Sequence, residues 1–417
     1  MRRIVAAYTV NRLGTWFGFI ALSIAVFDYT HSAIAVGALL LAGQVLPAFV
    51  VPVLVARVET SVRRGGLSSL YMFEAATSGL LVALLLTHFV LSATLVLVAL
   101  DGTAALAASA LLRAAAARSA REWTREIQPK AAKDLEEEAE RRANAALNIG
   151  FAVTFVMGPA LAGVVVPTLG TPAALLIDMV SFVICGAMLL DVRPHAEDAE
   201  SATVAERLRA ARAHIGETSR LRRLLVAEAV ALAFFEFSPP IEVVYAKASL
   251  HAGDSGYGLL LGIWGLGVAA GSVVFARSVG RSLGTLLSAS TLAVGVSYIG
   301  WAVAPTLALA CAAGLIGGVG NGMQWAALIS AVQRLTPEKL LGQMMGAVES
   351  IGAIAPGVGF ALGSGIVALS SPRVAFLVAG IGASLTTLAF VRLRLGGHAQ
   401  PAGTKPDADA APPAAVA

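Results

Sequence analysis

Acidic side chains set inside long apolar runs are the residues of this chain with the most chemical content. Asp101 lies about ten residues into an apolar block, and Glu236 about thirteen into another; at 1.5 Å of helical rise per residue, both fall near the middle of a bilayer-length segment. A charged group there costs roughly 2.5–3.5 kcal/mol on insertion scales, so it is expected to face a wet cavity or a partner. A carboxyl group taken out of water holds its proton to higher pH. One that titrates near neutrality can take a proton on one side of a membrane and release it on the other, the minimum for proton-coupled exchange. The competing reading is a buried polar group bonded to a neighbouring helix. Both readings stand for Glu236 and for Asp101.

Other polar residues carry paired readings too. Asn321 and Gln324 could hydrogen-bond a solute or a neighbouring helix. Trp16, Phe19, Phe234, Phe237 and Trp325 could wall a pocket for an amphipathic compound or pack against lipid. Arg12 sits inside the first apolar block, facing a cavity mouth or snorkelling to the interface. No other basic residue falls deep in such a block, which disfavours a strongly anionic solute such as a sugar phosphate. Glu228 and Glu349 lie near block ends, where solvation accounts for them. Asp28 and Glu242 lie near the other ends, where gating or loop capping competes with plain exposure.

Catalytic and nucleotide signatures are missing. There is no Gly-x-x-x-x-Gly-Lys-[Ser/Thr], His-Glu-x-x-His or Gly-x-Ser-x-Gly. The run Gly265-Leu266-Gly267-Val268-Ala269-Ala270 has no strand before it, so helix packing explains it better than a dinucleotide, as it does Gly14/Gly18, Gly267/Gly271, Gly318/Gly322 and Gly359/Gly363. Cys185 and Cys311 both fall in apolar runs and suggest neither a disulfide framework nor a metal site. The expectation is no enzyme and no cofactor.

The elements that must position these residues are membrane spans. Hydrophobic residues make up 57% of the 417 and charged residues 13%, with a mean hydropathy of +0.78, too little polarity to coat a soluble surface. Blocks long enough to span lie near 5–28, 34–56, 67–87, 92–112, 145–167, 172–191, 224–246, 255–276, 282–303, 306–333, 343–369 and 373–393. The first follows Met1-Arg2-Arg3 with no cleavage site and reads as a retained span. With both termini inside, Lys247 and Arg373 are the basic residues left outside, among 30 Lys and Arg. That bias sets both termini in the cytoplasm of a cell whose inner (plasma) membrane the chain crosses repeatedly. It also explains the net charge of +4 without nucleic acid.

The spans divide the chain into an N-terminal half (1–192), a cytoplasmic linker (193–223), a C-terminal half (224–395) and a Pro/Ala-rich tail (396–417) expected to be disordered. In the linker, Val204, Leu208, Ala211 and Ile215 alternate with Arg207, Arg209 and Arg212 as in a basic amphipathic helix on the inner leaflet. The segment 118–143 is a second long, charged inner connection. The halves echo each other: Val36-Gly37-Ala38-Leu39-Leu40-Leu41 recurs as Tyr257-Gly258-Leu259-Leu260-Leu261, and Ala160-Leu161-Ala162-Gly163 as Ala361-Leu362-Gly363. Pro159 and Pro356 bend matched spans. A six-plus-six repeat places a solute site at midplane between the halves.

These residues resemble the major facilitator superfamily, and within it the drug and siderophore efflux branch of macrolide and enterobactin exporters. The resemblance rests on Arg12-Leu13-Gly14-Thr15-Trp16, on Asp28-Tyr29-Thr30-His31-Ser32, and on Gly158-Pro159-Ala160-Leu161-Ala162-Gly163, which is similar to the antiporter motif of span five. Asp178-Met179-Val180-Ser181-Phe182, Gly320-Asn321-Gly322 and Gln333-Arg334-Leu335-Thr336-Pro337-Glu338 extend it. It implies a cavity lined by spans one, four, seven and ten, which puts Asp101 and Glu236 on cavity helices as proton-coupling candidates. Arg12, Trp16, Phe19, Phe237, Asn321, Gln324 and Trp325 are then the substrate-cavity candidates. Glu74 and Asp178 fall on outer helices, as structural acids. Arg57, Arg63, Arg64, Arg277 and Arg281 belong to the gating loops, with Gly158, Pro159 and Gly163 the span-five motif. The loop aspartate of the superfamily is replaced by Ala56, and by Ala276 in the second half, which puts the usual charge network between the halves in question.

The implied function is a monomeric proton-coupled efflux antiporter for a small amphipathic drug, siderophore or metabolite. An importer or facilitator of the same fold, and a sensor or scaffold that moves nothing, are the alternatives.

Overall fold

The computed structural model describes residues 2–49, 66–127, 133–192, 213–278, 280–337 and 340–392. Its regular elements are all helices. Ten are long and apolar enough to cross a membrane, and two shorter apolar stretches, Ala33–Phe49 and Ile354–Leu369, complete twelve crossings. The first half contains α1 (Arg2–Thr30), α2 (Ala33–Leu40, followed by a π-helical turn Leu41–Val45), α3 (Gly66–Leu86), α4 (Leu91–Ile127), α5 (Lys133–Leu169) and α6 (Thr171–Met188). In the second half, α7 (Ser219–Phe235) and α8 (Ser238–Val244, with a π-helical turn Tyr245–Ser249) share one crossing. The remaining crossings are α9 (Gly253–Arg277), α10 (Leu283–Val303), α11 (Leu307–Leu335), α12 (Leu341–Leu369) and α13 (Pro372–Arg392). Twelve crossings return the chain to the face where α1 begins, the proximal face; the α1–α2 and α8–α9 turns lie at the distal face.

Over the described residues the span expectations hold, with two differences. The charged connection at 118–143 is largely helix: α4 continues to Ile127 and α5 starts at Lys133, because charged and alanine residues there are good helix formers once a span has nucleated the helix. Of the linker, residues 193–212 lie outside the described residues, as does the tail; His214 stands 3.2 Å from the Leu335 carbonyl. The seventh crossing, expected to be continuous, is broken at Glu236 and Phe237.

That break follows from Pro239-Pro240. Proline has no N–H and crowds the preceding turn, so α7 stops and a new helix starts with the prolines in its first turn. The Phe235 carbonyl loses the donor that residue 239 would have supplied. The hydroxyl of Tyr298 on α10 donates to it instead, at 2.8 Å. Tyr298→Phe is expected to leave that carbonyl unpaired and to lower stability by about 1 kcal/mol, read as a depressed thermal midpoint in detergent.

The halves share a turn that their sequences barely advertise. His31 before α2 has φ 49° and His251 before α9 has φ 51°, left-handed conformations at equivalent places. Two seams join the halves: α5 against α9, and α2 against α12. A Cβ added to Gly163 would lie 2.5 Å from the Gly258 Cα, and one on Gly37 would lie 2.8 Å from the Ser364 Cβ. The two echoed segments of sequence are therefore the two seams. Within the second half, α9 and α11 pack through the Gly267/Gly271 and Gly318/Gly322 faces: a Cβ on Gly267 would sit 2.8 Å from the Gly318 Cα.

Candidate functional site

Away from the seams, α1, α4, α7 and α11 make no extensive contact across the halves among the described residues, apart from α1 against the short α8. The expected polar residues sit on these four helices.

Glu236 ends α7, half-buried, its amide donating to the Leu232 carbonyl at 2.9 Å. Gly359 of α12 gives it room, since a Cβ there would lie 2.6 Å from the Glu236 Cβ. Phe237 is buried with its carbonyl against Gly363, and its ring is 5.6 Å from that of Phe234. A carboxyl group beside a helix break in mid-membrane suits a site that must bind and release a proton. Glu242, six residues on, is buried and accepts a 2.5 Å bond from the Ser238 hydroxyl.

Glu228 overturns the expectation that solvation explains it. It is 4% exposed and accepts a 2.8 Å bond from Gln324 Nε2, whose Oε1 accepts from Thr291 at 2.8 Å and from Ser290. Gln324 is therefore committed to a buried network that ties α7 to α10 and α11. Asn321, three residues back, is half-buried and makes no side-chain hydrogen bond among the described residues, which leaves its amide open to a solute. Trp325 is half-exposed on α11.

In the first half, Asp101 is half-buried on α4 and accepts a 2.6 Å bond from Thr77 on α3. Behind it lie Glu74 and Asp178, 1% and 5% exposed. Asp178 fills a notch on α1 made by Gly14 and Gly18; a Cβ on Gly14 would stand 3.1 Å from Asp178 Oδ1. Glu74 Oε1 and Asp178 Oδ1 have no hydrogen-bond partner among the described residues. The three carboxyl groups act on one another electrostatically, with Arg12 within reach of Glu74. No group of three potential ligands among the described residues is arranged to hold a metal ion. The two acids expected to be structural thus sit behind the coupling candidate as one cluster, a grouping that sequence spacing on three separate helices does not reveal.

Trp16 and Phe19 meet edge to face at 5.7 Å, and Trp16 meets Phe155 of α5 at 5.2 Å. Gly158 makes that contact possible, as a Cβ there would lie 2.5 Å from Trp16 Cγ. Pro159 lies inside α5, between the glycine under Trp16 and the seam glycine Gly163. Among the aromatic candidates, Trp16 and Phe19 pair in the first half and Phe234 and Phe237 in the second, and no ring contact among the described residues links the two pairs.

At the distal face, Lys247 of the second half bridges Asp28 of the first at 2.5 Å and Asp254 at 2.6 Å. At the proximal face, Arg277 and Arg281 are exposed and form no ion pair among the described residues. Arg57, Arg63 and Arg64 lie outside the described residues. Among the described residues, the named contacts that join the halves lie from the middle of the bundle to its distal face.

Residues 224–416 match the sequence profile of the Major Facilitator Superfamily. No curated protein sequence matches the chain. Among solved structures, the chain resembles the nucleoside transporter NupG (12% identity, TM-score 0.67, 94% of this chain and 98% of that one). It also resembles a bacterial homologue of the iron transporter ferroportin in an inward-facing state (16%, 0.68, 94% and 98%) and the human organic anion transporter MFSD10 (17%, 0.60, 93% and 99%). The fold is therefore the major facilitator fold, over both halves.

Proposed function

We propose that the chain is a secondary transporter of the major facilitator superfamily, moving a small amphipathic solute in exchange for protons by rocking its two halves. The observation that carries this reading is Glu236: a half-buried carboxyl group at a helix break in mid-bundle, packed beside Gly359 of α12. Neither a structural nor a lipid-facing role needs an acid there. Asp101 is the second coupling group, on the opposing half. The distal ion pair of Lys247 with Asp28, set against Arg277 and Arg281, which form no ion pair among the described residues, supports a state closed distally and open proximally. The Lys/Arg bias supports a cytoplasmic proximal face in the inner membrane. The outward direction rests on the likeness of Gly158–Gly163 to the antiporter motif and on the resemblance to the efflux branch. The unit that works is one chain, since both halves of the site are present in it.

The test is reconstitution. In liposomes containing the purified protein, an imposed pH gradient is expected to drive accumulation of a fluorescent amphipathic dye above its equilibrium level. Equilibration that ignores the gradient would favour a facilitator, and no movement of any dye in a broad panel would favour a sensor.

A further inference from the structure

The sequence disfavours an anionic solute because Arg12 stands alone in its span. The structure removes that argument. α4 runs on to Ile127, and Arg113 reaches back into the bundle beside Arg12. The Arg113 guanidinium donates to the Tyr8 hydroxyl at 3.2 Å and Arg12 Nε donates to the same hydroxyl at 3.4 Å. Both guanidinium carbons lie 5.7 Å from the Tyr8 ring centroid, and that of Arg12 lies 5.3 Å from the Phe151 ring. Both side chains are half-buried, and neither has a carboxylate within salt-bridge distance among the described residues. Glu74, in the cluster behind it, acts on Arg12 electrostatically.

Two positive groups held together without an acid partner repel each other, and Tyr8 offers them only its hydroxyl and its ring face. The missing element is an anion. Guanidinium forks match planar or tetrahedral oxyanions such as carboxylate, phosphate or sulfonate.

The surroundings say what else such a ligand carries. Arg12 and Arg113 lie about 27 and 33 Å along their helices from the distal ends, which puts them at the proximal edge of a hydrocarbon slab about 30 Å thick. From there an aromatic row leads inward: Phe151 and Phe155, 5.7 Å apart, then Trp16 and Phe19. On α1, Arg12, Trp16, Phe19 and Ser23 fall on one stripe at helical spacing, and Ser23 meets Tyr257 of the other half. Arg12 and the aromatic row thus face the space between the halves.

We propose that Arg12 and Arg113 form a receptor for the anionic head of an amphipathic solute whose apolar body lies along Phe151, Phe155, Trp16 and Phe19. This rests on the transporter reading for its purpose, but the binding is measurable without transport. The same chemistry exists in an anionic phospholipid headgroup, so the test must separate the two sources.

Native mass spectrometry of the whole chain in neutral maltoside detergent does so, with decyl phosphate, decyltrimethylammonium and phosphatidylglycerol as probes. The wild type is expected to retain one decyl phosphate and no decyltrimethylammonium. Arg12→Gln and Arg113→Gln should each weaken retention about tenfold or more, with thermal midpoints showing that the variants are folded. Arg12→Lys should restore part of the affinity, as it keeps the charge but loses the fork. Equal retention by wild type and both Gln variants, or equal retention of the cationic probe, would overturn the proposal. Binding of phosphatidylglycerol that decyl phosphate cannot displace would overturn the solute assignment. Retention as expected in a protein that then fails to transport would sink the transporter reading and leave this site standing.

Discussion

In Glu236→Gln, dye accumulation driven by a pH gradient falls to the level of protein-free liposomes while the protein stays folded. Gln has nearly the shape of Glu but cannot exchange a proton, so the variant isolates one chemical property. The stability control has a definite sign. An ionisable group at midplane costs free energy that a neutral amide does not, so the thermal midpoint should hold or rise. A merely structural Glu236 would give the reverse pattern: a lower midpoint and undiminished transport. Gly359 and Gly363 leave space on α12 beside the break, and the amide fits where the acid did. Unchanged gradient-driven accumulation in the variant removes Glu236 from the mechanism and leaves Asp101 to carry the coupling.

Much of the fold was legible because membrane spans are written in local composition. The twelve blocks, their pairing into halves and the small-residue faces all follow from runs and spacings that a single segment displays. The seams were legible for a further reason. Gly37 and Gly258, and Gly163 and Gly363, stood out as echoes between the halves, and close helix approach is what requires glycine at such places. The seventh span shows the limit. Pro239-Pro240 was in plain view, yet an apolar run that tolerates prolines reads as one helix until the Tyr298 hydroxyl is seen to satisfy the freed carbonyl.

Site partners were less legible, because they come from helices distant in sequence. Nothing local to Gln324 announces Glu228, which lies on α7. Nothing local to Asp178 announces Glu74. Arg113 lies just past an apolar run, and the end of such a run does not mark the end of a helix. The run stops near residue 112, but the helix does not, and a side chain on a continuing helix can reach back into the bundle.

The second large effect concerns motion. If solute passes by alternation between two arrangements of the halves, the α2–α12 seam must open at its distal end in every cycle. Gly37 and Ser364 meet there, and a Cβ at residue 37 would lie 2.8 Å from that of residue 364, near enough for a disulfide after a small adjustment. The natural thiols, Cys185 and Cys311, are both unpaired and can be replaced first. The direct measurement is dye transport by Gly37→Cys/Ser364→Cys in liposomes under oxidising and then reducing conditions. Arrest on oxidation, with recovery on reduction, is the predicted result. Full transport with the disulfide shown to be closed would contradict the rocking of two halves on which the account depends.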